Sequence, residues 1–529
     1  MLVAGRGWAQ APVKQAPPEQ LSPAAAQWWA DISALADDRM EGRLTGSSGY
    51  LRAADYVISR LRSEGLHPAG VYGYLQPVAF EQQVVDQAAS SAELVSMDGT
   101  STPLHIGEDA LIGATGAARP PYVNAPMVFI GYGLHLPQQG YDDFADLDLK
   151  GKVAVVLSGG PAEISGSIKA NARFARSRLL AERGAVGLIS LTTPHQVEIP
   201  WTRLKLLSSQ PGMYLADPTL RDVKDGFFVA TVDPEKSELL FKGTGHTFAE
   251  LCAVADASKP LARFELPQHI RAMVVAQREP LSSPNIVAKL PGREPKLAAQ
   301  YVAISAHLDH LGIGEPINGD RIYNGAMDDA SGVASVLDIA HQLRSAANRP
   351  RRSILFVIVT GEEKGLLGSH YYAVHPTVPQ GSIVADLNLD MPLPFWPLKS
   401  IVALGDGEST LGADARAIAS DRGLTLLADP LPDHNIFIRT DQFSFVREGV
   451  PALAFWFGYA PNTPEFQLVV HWLNTRYHSP SDDLLQPGIF KEDAVKLDEF
   501  VAALALQVAD ADIRPDWLPT SIFRRDLTH

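Results

Sequence analysis

The second half of the chain alternates between short apolar runs and amphipathic helical patterns, and this alternation constrains the fold more than any other feature. After Ser282, apolar runs of strand length occur at residues 301–305, 353–360, 383–390 and 452–457. Between and after them, apolar residues recur at helical spacing over residues 331–346, 366–372 and 490–508. Strands joined through helices pair in parallel, so the pattern predicts an α/β fold with a largely parallel central sheet.

The region before this α/β pattern has a different distribution of apolar and turn-forming residues. Over residues 104–273, short β-type runs are separated by turns rich in Gly, Pro and Asp, which predicts a separate β-rich module. Upstream of it, apolar residues at helical spacing over 50–64 predict a helix that ends at Gly65. We therefore divide the chain into a flexible N-terminal segment (1–22), the N-terminal part of the main domain (23–103), the β-rich module (104–273) and the remainder of the main domain (274–529).

The N-terminal segment bears on where the protein is located. Residues 1–10 are weakly apolar and overlap an Ala9-x-Ala11 pair, and a lead-in rich in Pro and Gln follows. This pattern resembles the end of an export signal, although its apolar run is shorter than a normal signal core. We therefore expect an exported protein, periplasmic or secreted, with a cytoplasmic location as the alternative.

Composition excludes several classes of protein. The 529 residues are 46% hydrophobic and 20% charged, which is typical of a globular protein of two or three domains. No apolar run approaches the length of a membrane-spanning helix. The formal net charge is −15 without a Lys/Arg-rich stripe, which argues against nucleic acid as a partner. Cys252 is the single cysteine, so any metal must be held by His, Asp or Glu.

Polar residues follow the predicted strands, where the sites of open α/β sheets are found. The first strand ends in His307-Leu308-Asp309, and the Asp309 carboxylate could bind the second ring nitrogen of His307. Taken alone, such a pair at a strand end is more often structural. Two further acids, Asp328 and Asp329, precede the helix over 331–346, and helix capping accounts for only one of them.

More candidates follow the next two strands and a late turn. Glu362 and Glu363 come directly after a fully apolar run, Asp390 ends the following run, and Tyr477-His478 lies on a turn. Together the motifs offer two histidines, three carboxylates and a further glutamate. Oxygen and nitrogen ligands without sulfur suit two Zn²⁺ ions that share one carboxylate. The additional glutamate would then act as a general base in a hydrolysis.

The order of these motifs resembles the co-catalytic zinc aminopeptidase family, whose relatives include bacterial leucyl aminopeptidase, aminopeptidase Y and glutamate carboxypeptidase. The resemblance implies a three-layer zinc-exopeptidase domain. It also implies two zinc ions per chain, one held by His307 and Asp390 and the other by Glu363 and His478. Asp328 would bridge the two ions.

The same resemblance implies the catalytic residues and the reaction. Glu362 would activate a metal-bridging water, Asp309 would support His307, and Tyr477 would donate a hydrogen bond to the oxyanion. The implied activity is an exopeptidase that hydrolyses N-terminal residues from peptide substrates. A carboxypeptidase of the same family is the main alternative, and Arg439 is the nearest candidate to bind a terminal carboxylate. A single-zinc glutaminyl cyclase and an inactive binding protein are further alternatives.

The resemblance extends upstream of the ligand motifs. Residues 128–133 (VFIGYG), 141–144 (YDDF) and 149–153 (LKGKV) are similar to the protease-associated (PA) domain that is often inserted in these enzymes. Residues 41–46 (EGRLTG) resemble their N-terminal segment. One departure is Gln442, where many relatives have a histidine, and it concerns the substrate pocket rather than the metal ligands.

Overall fold

The structure, a computed structural model, describes residues 21–115, 122–223, 226–347, 349–431, 434 and 436–524. The predicted N-terminal segment, with its Ala9-x-Ala11 pair, lies outside the described residues up to position 20. The helical and extended segments predicted for the second half of the chain are confirmed, and their ends differ from the prediction by no more than two residues.

The helices of the described residues lie at both ends of the chain and within its central module. They are α1 (Pro23–Leu35), α2 (Ser48–Ser63), α3 (Gly166–Glu182), α4 (Trp201–Leu207), α5 (Phe248–Asp256), α6 (Ser331–Ser345), α7 (Leu367–Val374), α8 (Leu411–Asp421), α9 (Gln442–Arg447), α10 (Pro464–Thr475) and α11 (Lys491–Asp510). In the part of the chain that the structure describes, none of these helices has the length and apolar character needed to cross a membrane.

The strands form two large sheets and two small ribbons. They are β1 (His67–Pro68), β2 (Leu75–Val85), β3 (Ser91–Val95), β4 (Ser101–Pro103), β5 (Ala110–Ala114), β6 (Tyr122–Phe129), β7 (His135–Leu136), β8 (Tyr141–Asp142), β9 (Val153–Leu157), β10 (Gly187–Leu191), β11 (Gly212–Leu215), β12 (Phe228–Val232), β13 (Phe264–Met273), β14 (Ala276–Leu290), β15 (Tyr301–His307), β16 (Gly312–Ile317), β17 (Asp320–Tyr323), β18 (Ser353–Val359), β19 (Ile383–Asn388), β20 (Ser400–Leu404), β21 (Thr425–Leu427) and β22 (Ala452–Phe457).

The larger sheet has a parallel centre and antiparallel flanks. Its strands follow the order β11-β2-β14-β18-β15-β19-β22-β20-β21, and β1 pairs with β14. The pairs β18·β15, β15·β19 and β19·β22 are parallel, as the alternation of strands and helices predicted. The strands β2, β14 and β20 join antiparallel, which makes the whole sheet mixed. Antiparallel pairs need no helical crossover, so the alternation could not reveal them.

Helices cover both faces of this sheet, which gives the three-layer arrangement. Successive residues of β18 point to opposite faces. Ile354 and Phe356 pack in the same core as side chains of α1, α6 and α11. Leu355 and Val357 pack instead with Tyr372 of α7 and with α9. Burial on both faces explains why this strand is an uninterrupted apolar run.

The second large sheet belongs to the middle of the chain. Its order is β4-β3-β13-β6-β9-β10-β12-β5, and its strands lie between Ser91 and Met273. Side chains from α3 and α5 complete its own hydrophobic core. One strand of the same region, β11, pairs with β2 in the larger sheet and ties the two sheets together. The domain boundaries and the identification of this module as a PA domain stay predictions.

Candidate metal centre

The parallel strands bring the predicted ligands to one edge of the larger sheet. His307 is the last residue of β15, Glu362 and Glu363 follow β18, and Asp390 follows β19. Because β18, β15 and β19 run in the same direction, their carboxyl ends meet at that edge. The site is thus a direct consequence of the sheet topology.

A first cluster contains His307, Asp328 and Asp390, all of them buried. Nε2 of His307 lies 3.3 Å from Oδ1 of Asp328 and 3.6 Å from Oδ1 of Asp390. One ligand atom from each residue lies within 4.8 Å of the others, which is close enough to hold one metal ion. The structure therefore brings together the ligands that were predicted for the first ion.

A second cluster lies on the other side of Asp328. Nε2 of His478 is 3.3 Å from Oδ2 of Asp328 and 3.2 Å from Oε2 of Glu363. His310 also belongs here, because one of its ring nitrogens lies within 4.8 Å of a carboxylate oxygen from each of these two acids. Asp328 thus directs one oxygen toward each cluster, and this is the position predicted for a bridging ligand.

The hydrogen bonding of these atoms fits a cation at each cluster. Six buried atoms of the two clusters form no hydrogen bond of good geometry with the described residues, although some lie close to one another: Nε2 of His307, both ring nitrogens of His310, Oδ2 of Asp328, Oε1 of Glu363 and Oδ1 of Asp390. Buried polar atoms without a partner are rare in native proteins. Crowded carboxylates also repel one another unless a positive charge lies between them. Histidine and carboxylate donors without sulfur match the ligand preference of zinc.

The electrostatics separates the two neighbouring glutamates. Burial raises the pKa of the Glu362 carboxyl well above its ordinary value, and the nearby carboxylates of Asp390 and Glu363 add to the shift. Burial also opposes ionisation of Glu363, but the adjacent His478 and His310 hold its pKa well below the usual range. Glu363 is therefore suited to bind a cation as a carboxylate, whereas Glu362 is suited to take up a proton.

Asp309 supports this centre in a different way from the one predicted. Its carboxylate was expected to bind the His307 ring, but Nδ1 of His307 lies 3.0 Å from the main-chain carbonyl oxygen of Asp309 instead. The carboxylate accepts hydrogen bonds from Oγ1 of Thr45 and from the main-chain N–H of Glu362. The prediction was wrong in this contact, because the turn after β15 places the carbonyl beside the ring and directs the side chain toward Glu362.

Asp329 explains why two acids stand together before α6. Its Oδ1 accepts hydrogen bonds from the main-chain N–H groups of Gly332 and Met391, at 2.9 and 3.1 Å. It therefore stabilises the first turn of α6 and the segment after β19. Helix capping thus applies to Asp329, while its neighbour Asp328 faces the metal centre.

The segment at residues 41–46 supports the loops that carry the ligands. Arg43 is fully buried, and its guanidinium donates hydrogen bonds to the carbonyl oxygens of Leu308, Asn324 and Gly325. These carbonyls belong to the loops that carry His307 and Asp328. The N-terminal part of the main domain therefore holds these two loops in position.

Tyr477 lies beside the metal centre. It lines a small cavity of about 40 Å³ together with Asp328, Glu362 and Asp390. Its ring centroid is 3.9 Å from that of His478. Burial raises the pKa of its hydroxyl well above the ordinary value, so the hydroxyl stays protonated and can donate a hydrogen bond.

Among the residues at the site that were not predicted from the sequence, two carry charged or metal-binding groups at the centre or beside it. His310 follows Asp309 directly, and its position just beyond a strand end was a signal that could have identified it. Glu198 comes from the β-rich module, and its carboxylate contacts Arg439 at 2.8 and 2.9 Å. No pattern in the sequence links these two residues, which lie 241 positions apart.

Comparison with known proteins agrees with the geometry of the centre. Residues 285–503 match the profile of peptidase family M28. A probable zinc metalloprotease of Pyrenophora tritici-repentis (strain Pt-1C-BFP) is 25% identical over 39% of this chain and 47% of its own length. Carboxypeptidase Q of Xenopus laevis is 35% identical over 17% of each chain. The chain thus aligns with less than half the length of these curated relatives.

A solved structure extends the likeness beyond the matched region. The aminopeptidase from Aneurinibacillus sp. strain AM-1 is 21% identical and superposes with a TM-score of 0.52. The superposition covers 92% of this chain and 93% of the other, so the overall fold is shared. Residues 285–503 are thus similar to peptidase family M28, and the chain shares its overall fold with this solved aminopeptidase.

Proposed function

We propose that the protein is an aminopeptidase that releases N-terminal residues from peptides with the help of two zinc ions. The names of the similar proteins include both an aminopeptidase and a carboxypeptidase, so they do not decide which end of a peptide is recognised. The observation that carries the proposal is the ion pair between Arg439 and Glu198 beside the metal centre.

The ion pair engages Arg439, which is the arginine that a carboxypeptidase could use to bind the terminal carboxylate of its substrate. Nη1 of Arg439 lies within 2.9 Å of both carboxylate oxygens of Glu198, and Nδ1 of His434 lies 2.5 Å from one of them. Burial opposes ionisation of Glu198, but the charges of Arg439 and His434 lower its pKa to about 2. A substrate carboxylate would have to compete with this permanent charge, whereas a free α-ammonium group would meet carboxylates at the site.

Two zinc ions fit the two clusters that share Asp328. His307 and Asp390 would complete the first site, and Glu363 and His478 the second. When bound, the ions would supply Lewis-acid polarisation of the scissile carbonyl. Both ions would also counter the crowding of negative charge that the described carboxylates create at this edge of the sheet.

The chain's own residues would then carry the proton transfers. Glu362 would accept a proton from the attacking water and pass it to the amine that leaves when the peptide bond breaks. Asp309 would hold Glu362 through the main-chain hydrogen bond described above. The Tyr477 hydroxyl would donate a hydrogen bond to the carbonyl oxygen as negative charge develops on it.

The cavity beside the centre favours a small apolar N-terminal residue. Besides the acids, its walls contain Met391, Ile436, Trp456 and Leu473, and its volume is only about 40 Å³. We therefore expect substrates that begin with alanine or valine to be preferred over those that begin with a charged residue.

Blocking the substrate's amino group tests the proposal. Peptides and aminoacyl amides with a free N-terminus should be cleaved, and N-acetylated counterparts should be poorer by at least about a hundredfold in kcat/KM, roughly 2.7 kcal/mol. Equal rates on free and acetylated peptides would contradict the aminopeptidase assignment. Release of the C-terminal residue would favour a carboxypeptidase, and cyclisation of N-terminal glutamine with one bound zinc would favour a glutaminyl cyclase.

A further inference from the structure

A second, larger cavity adjoins the metal pocket. Its volume is about 720 Å³, within the range of roughly 300 to 1,000 Å³ that is usual for ligand pockets. Glu198, His434 and Arg439 line this cavity and also the small cavity at the metal centre. The two spaces therefore meet at the ion pair that joins the β-rich module to the main domain.

Hydrogen bonds attach the wall of this cavity to the main domain. Helix α4, which contributes Trp201 and Leu204 to the lining, also carries Arg203. The Arg203 guanidinium donates hydrogen bonds to the carbonyl oxygens of Leu473 and Asn474, at 2.8 and 3.1 Å. Leu473 is itself part of the small cavity, so α4 keeps the two spaces side by side.

The charges that line the cavity are unbalanced. Arg439 and His434, which line the cavity, both contact the Glu198 carboxylate. Asp233 and Glu235 also line it, and neither forms an ion pair in the part of the chain that the structure describes. The unpaired charge facing the cavity is therefore negative, while half-buried apolar side chains such as Trp201 and Leu204 form the rest of the wall.

We propose that this cavity binds the part of a peptide that follows its first residue, and that it favours basic over acidic side chains there. The inference rests on the proposed aminopeptidase function. The small cavity at the metal centre has room for one side chain only, so the remainder of a substrate must extend into neighbouring space. The adjoining cavity is large enough for this remainder, and its unpaired acids complement a lysine or arginine side chain.

Amidated peptides test the charge preference. We compare Ala-Lys-Ala-amide with Ala-Glu-Ala-amide, because amidation removes the terminal carboxylate from both. The lysine peptide should have a kcat/KM about three- to tenfold higher, and added salt should reduce the ratio. Glu235→Gln should lower the ratio, since Glu235 is exposed and its replacement should not disturb folding. Glu163→Gln, an exposed acid of the same module outside the cavity lining, should leave it unchanged.

Filling the cavity provides an independent test. Leu204→Trp should raise KM for the lysine tripeptide amide more than for alanine amide, because alanine amide does not extend into the cavity. Met97→Trp, at a position that is 89% exposed and outside the cavity lining, introduces the same side chain and should change neither value. An equal effect of Leu204→Trp on both substrates would overturn the inference.

Binding measurements separate this inference from the proposed function. Calorimetric titration of both tripeptide amides into zinc-loaded Glu362→Gln protein reports affinity without turnover, and the lysine peptide should bind more tightly. Equal affinities, or a ratio that Glu235→Gln leaves unchanged, would overturn the inference even if aminoacyl amides are hydrolysed. If the wild-type protein failed to hydrolyse any free aminoacyl substrate, the proposed function would be wrong, and the titration would still decide whether the cavity prefers basic peptides.

Discussion

Nδ1 of His310 lies 2.7 Å from Oε1 of Glu363, and both side chains are almost fully buried. The same nitrogen is 3.8 Å from Oδ2 of Asp328. His310 therefore contacts the second metal cluster, in which it joins Glu363, Asp328 and His478. Such a contact orients a carboxylate ligand and increases its affinity for the metal.

Replacing His310 should weaken the second metal site. We expect His310→Leu to lower zinc affinity at one of two sites by about 10- to 100-fold, because outer contacts of metal ligands have effects of this size. Competition with a chromogenic chelator measures the affinity. His341→Leu, at an exposed histidine on α6, is the matched control and should bind zinc normally. Unchanged zinc affinity in the His310 variant would show that this contact has no role in metal binding.

The two neighbouring glutamates should respond differently to the same substitution. Glu362→Gln should retain metal while kcat falls by about 10²- to 10⁴-fold, the usual contribution of a general base. Glu363→Gln should instead weaken metal binding, because it removes a charged ligand. Elemental analysis and steady-state kinetics on both variants distinguish the two outcomes. Equal loss of metal from both variants would contradict the separation of roles.

Glu198 should control whether Arg439 is available to anions. In Glu198→Gln the guanidinium loses its charged partner, so inhibition by a small carboxylate such as acetate should strengthen about threefold or more. The inhibition constant, measured with alanine amide as substrate, reports this change. Glu163→Gln serves again as the control acid. An unchanged inhibition constant would mean that Arg439 is not accessible to small anions at the metal pocket.

The buried acids Asp498 and Asp338 should make stability depend on pH. Burial and the neighbouring Asp338 carboxyl raise the pKa of Asp498 well above its ordinary value, and burial also raises the pKa of Asp338. The folded state therefore binds more protons than the unfolded state, and stability falls as pH rises from the unfolded-state pKa toward the raised values.

Asp498→Asn should remove much of this penalty. At neutral pH we expect the variant to have a free energy of unfolding about 1 to 3 kcal/mol higher than the wild type, because a buried charge without a cationic partner is costly. Urea unfolding between pH 5 and pH 8 measures the difference, which should shrink toward acidic pH. Glu499→Gln, at the exposed neighbouring position, should have little effect. A variant less stable than the wild type at pH 8 would contradict the prediction.

Much of the main domain could be predicted from the sequence, because its signals are local. The fully buried strand β18 is an uninterrupted apolar run, and the acids that follow such runs stand out. His307, Glu363 and Asp390 were therefore identified as candidates from their positions at or shortly after the ends of strands. In a parallel sheet these positions meet at one edge. The alternation of strands and helices was therefore sufficient to predict that these residues lie close together.

Other features depended on tertiary contacts. The family resemblance singled out Asp328 as the bridging ligand, but the residue pattern alone did not separate it from Asp329. The fold directs Asp328 toward the metal centre and Asp329 toward the N–H groups of Gly332 and Met391. The contact of Asp309 with His307 through a carbonyl oxygen depends on the exact turn after β15. The antiparallel strands at the flanks of the large sheet likewise could not be predicted from the alternation of strands and helices, because antiparallel pairs need no helical crossover.

The α/β class, the central strands and the candidate positions at the strand ends could be predicted from the sequence, because apolar periodicity and the residues that end it are properties of neighbouring positions. The ligand roles of these candidates were implied by the family resemblance. Only the tertiary structure decided that Glu198 of the β-rich module would neutralise Arg439 and that a large cavity would adjoin the metal pocket. Periodicity in a sequence indicates which side chains are buried, but it does not indicate which distant residue each one contacts. Which distant residues come into contact is decided by how the two sheets pack together.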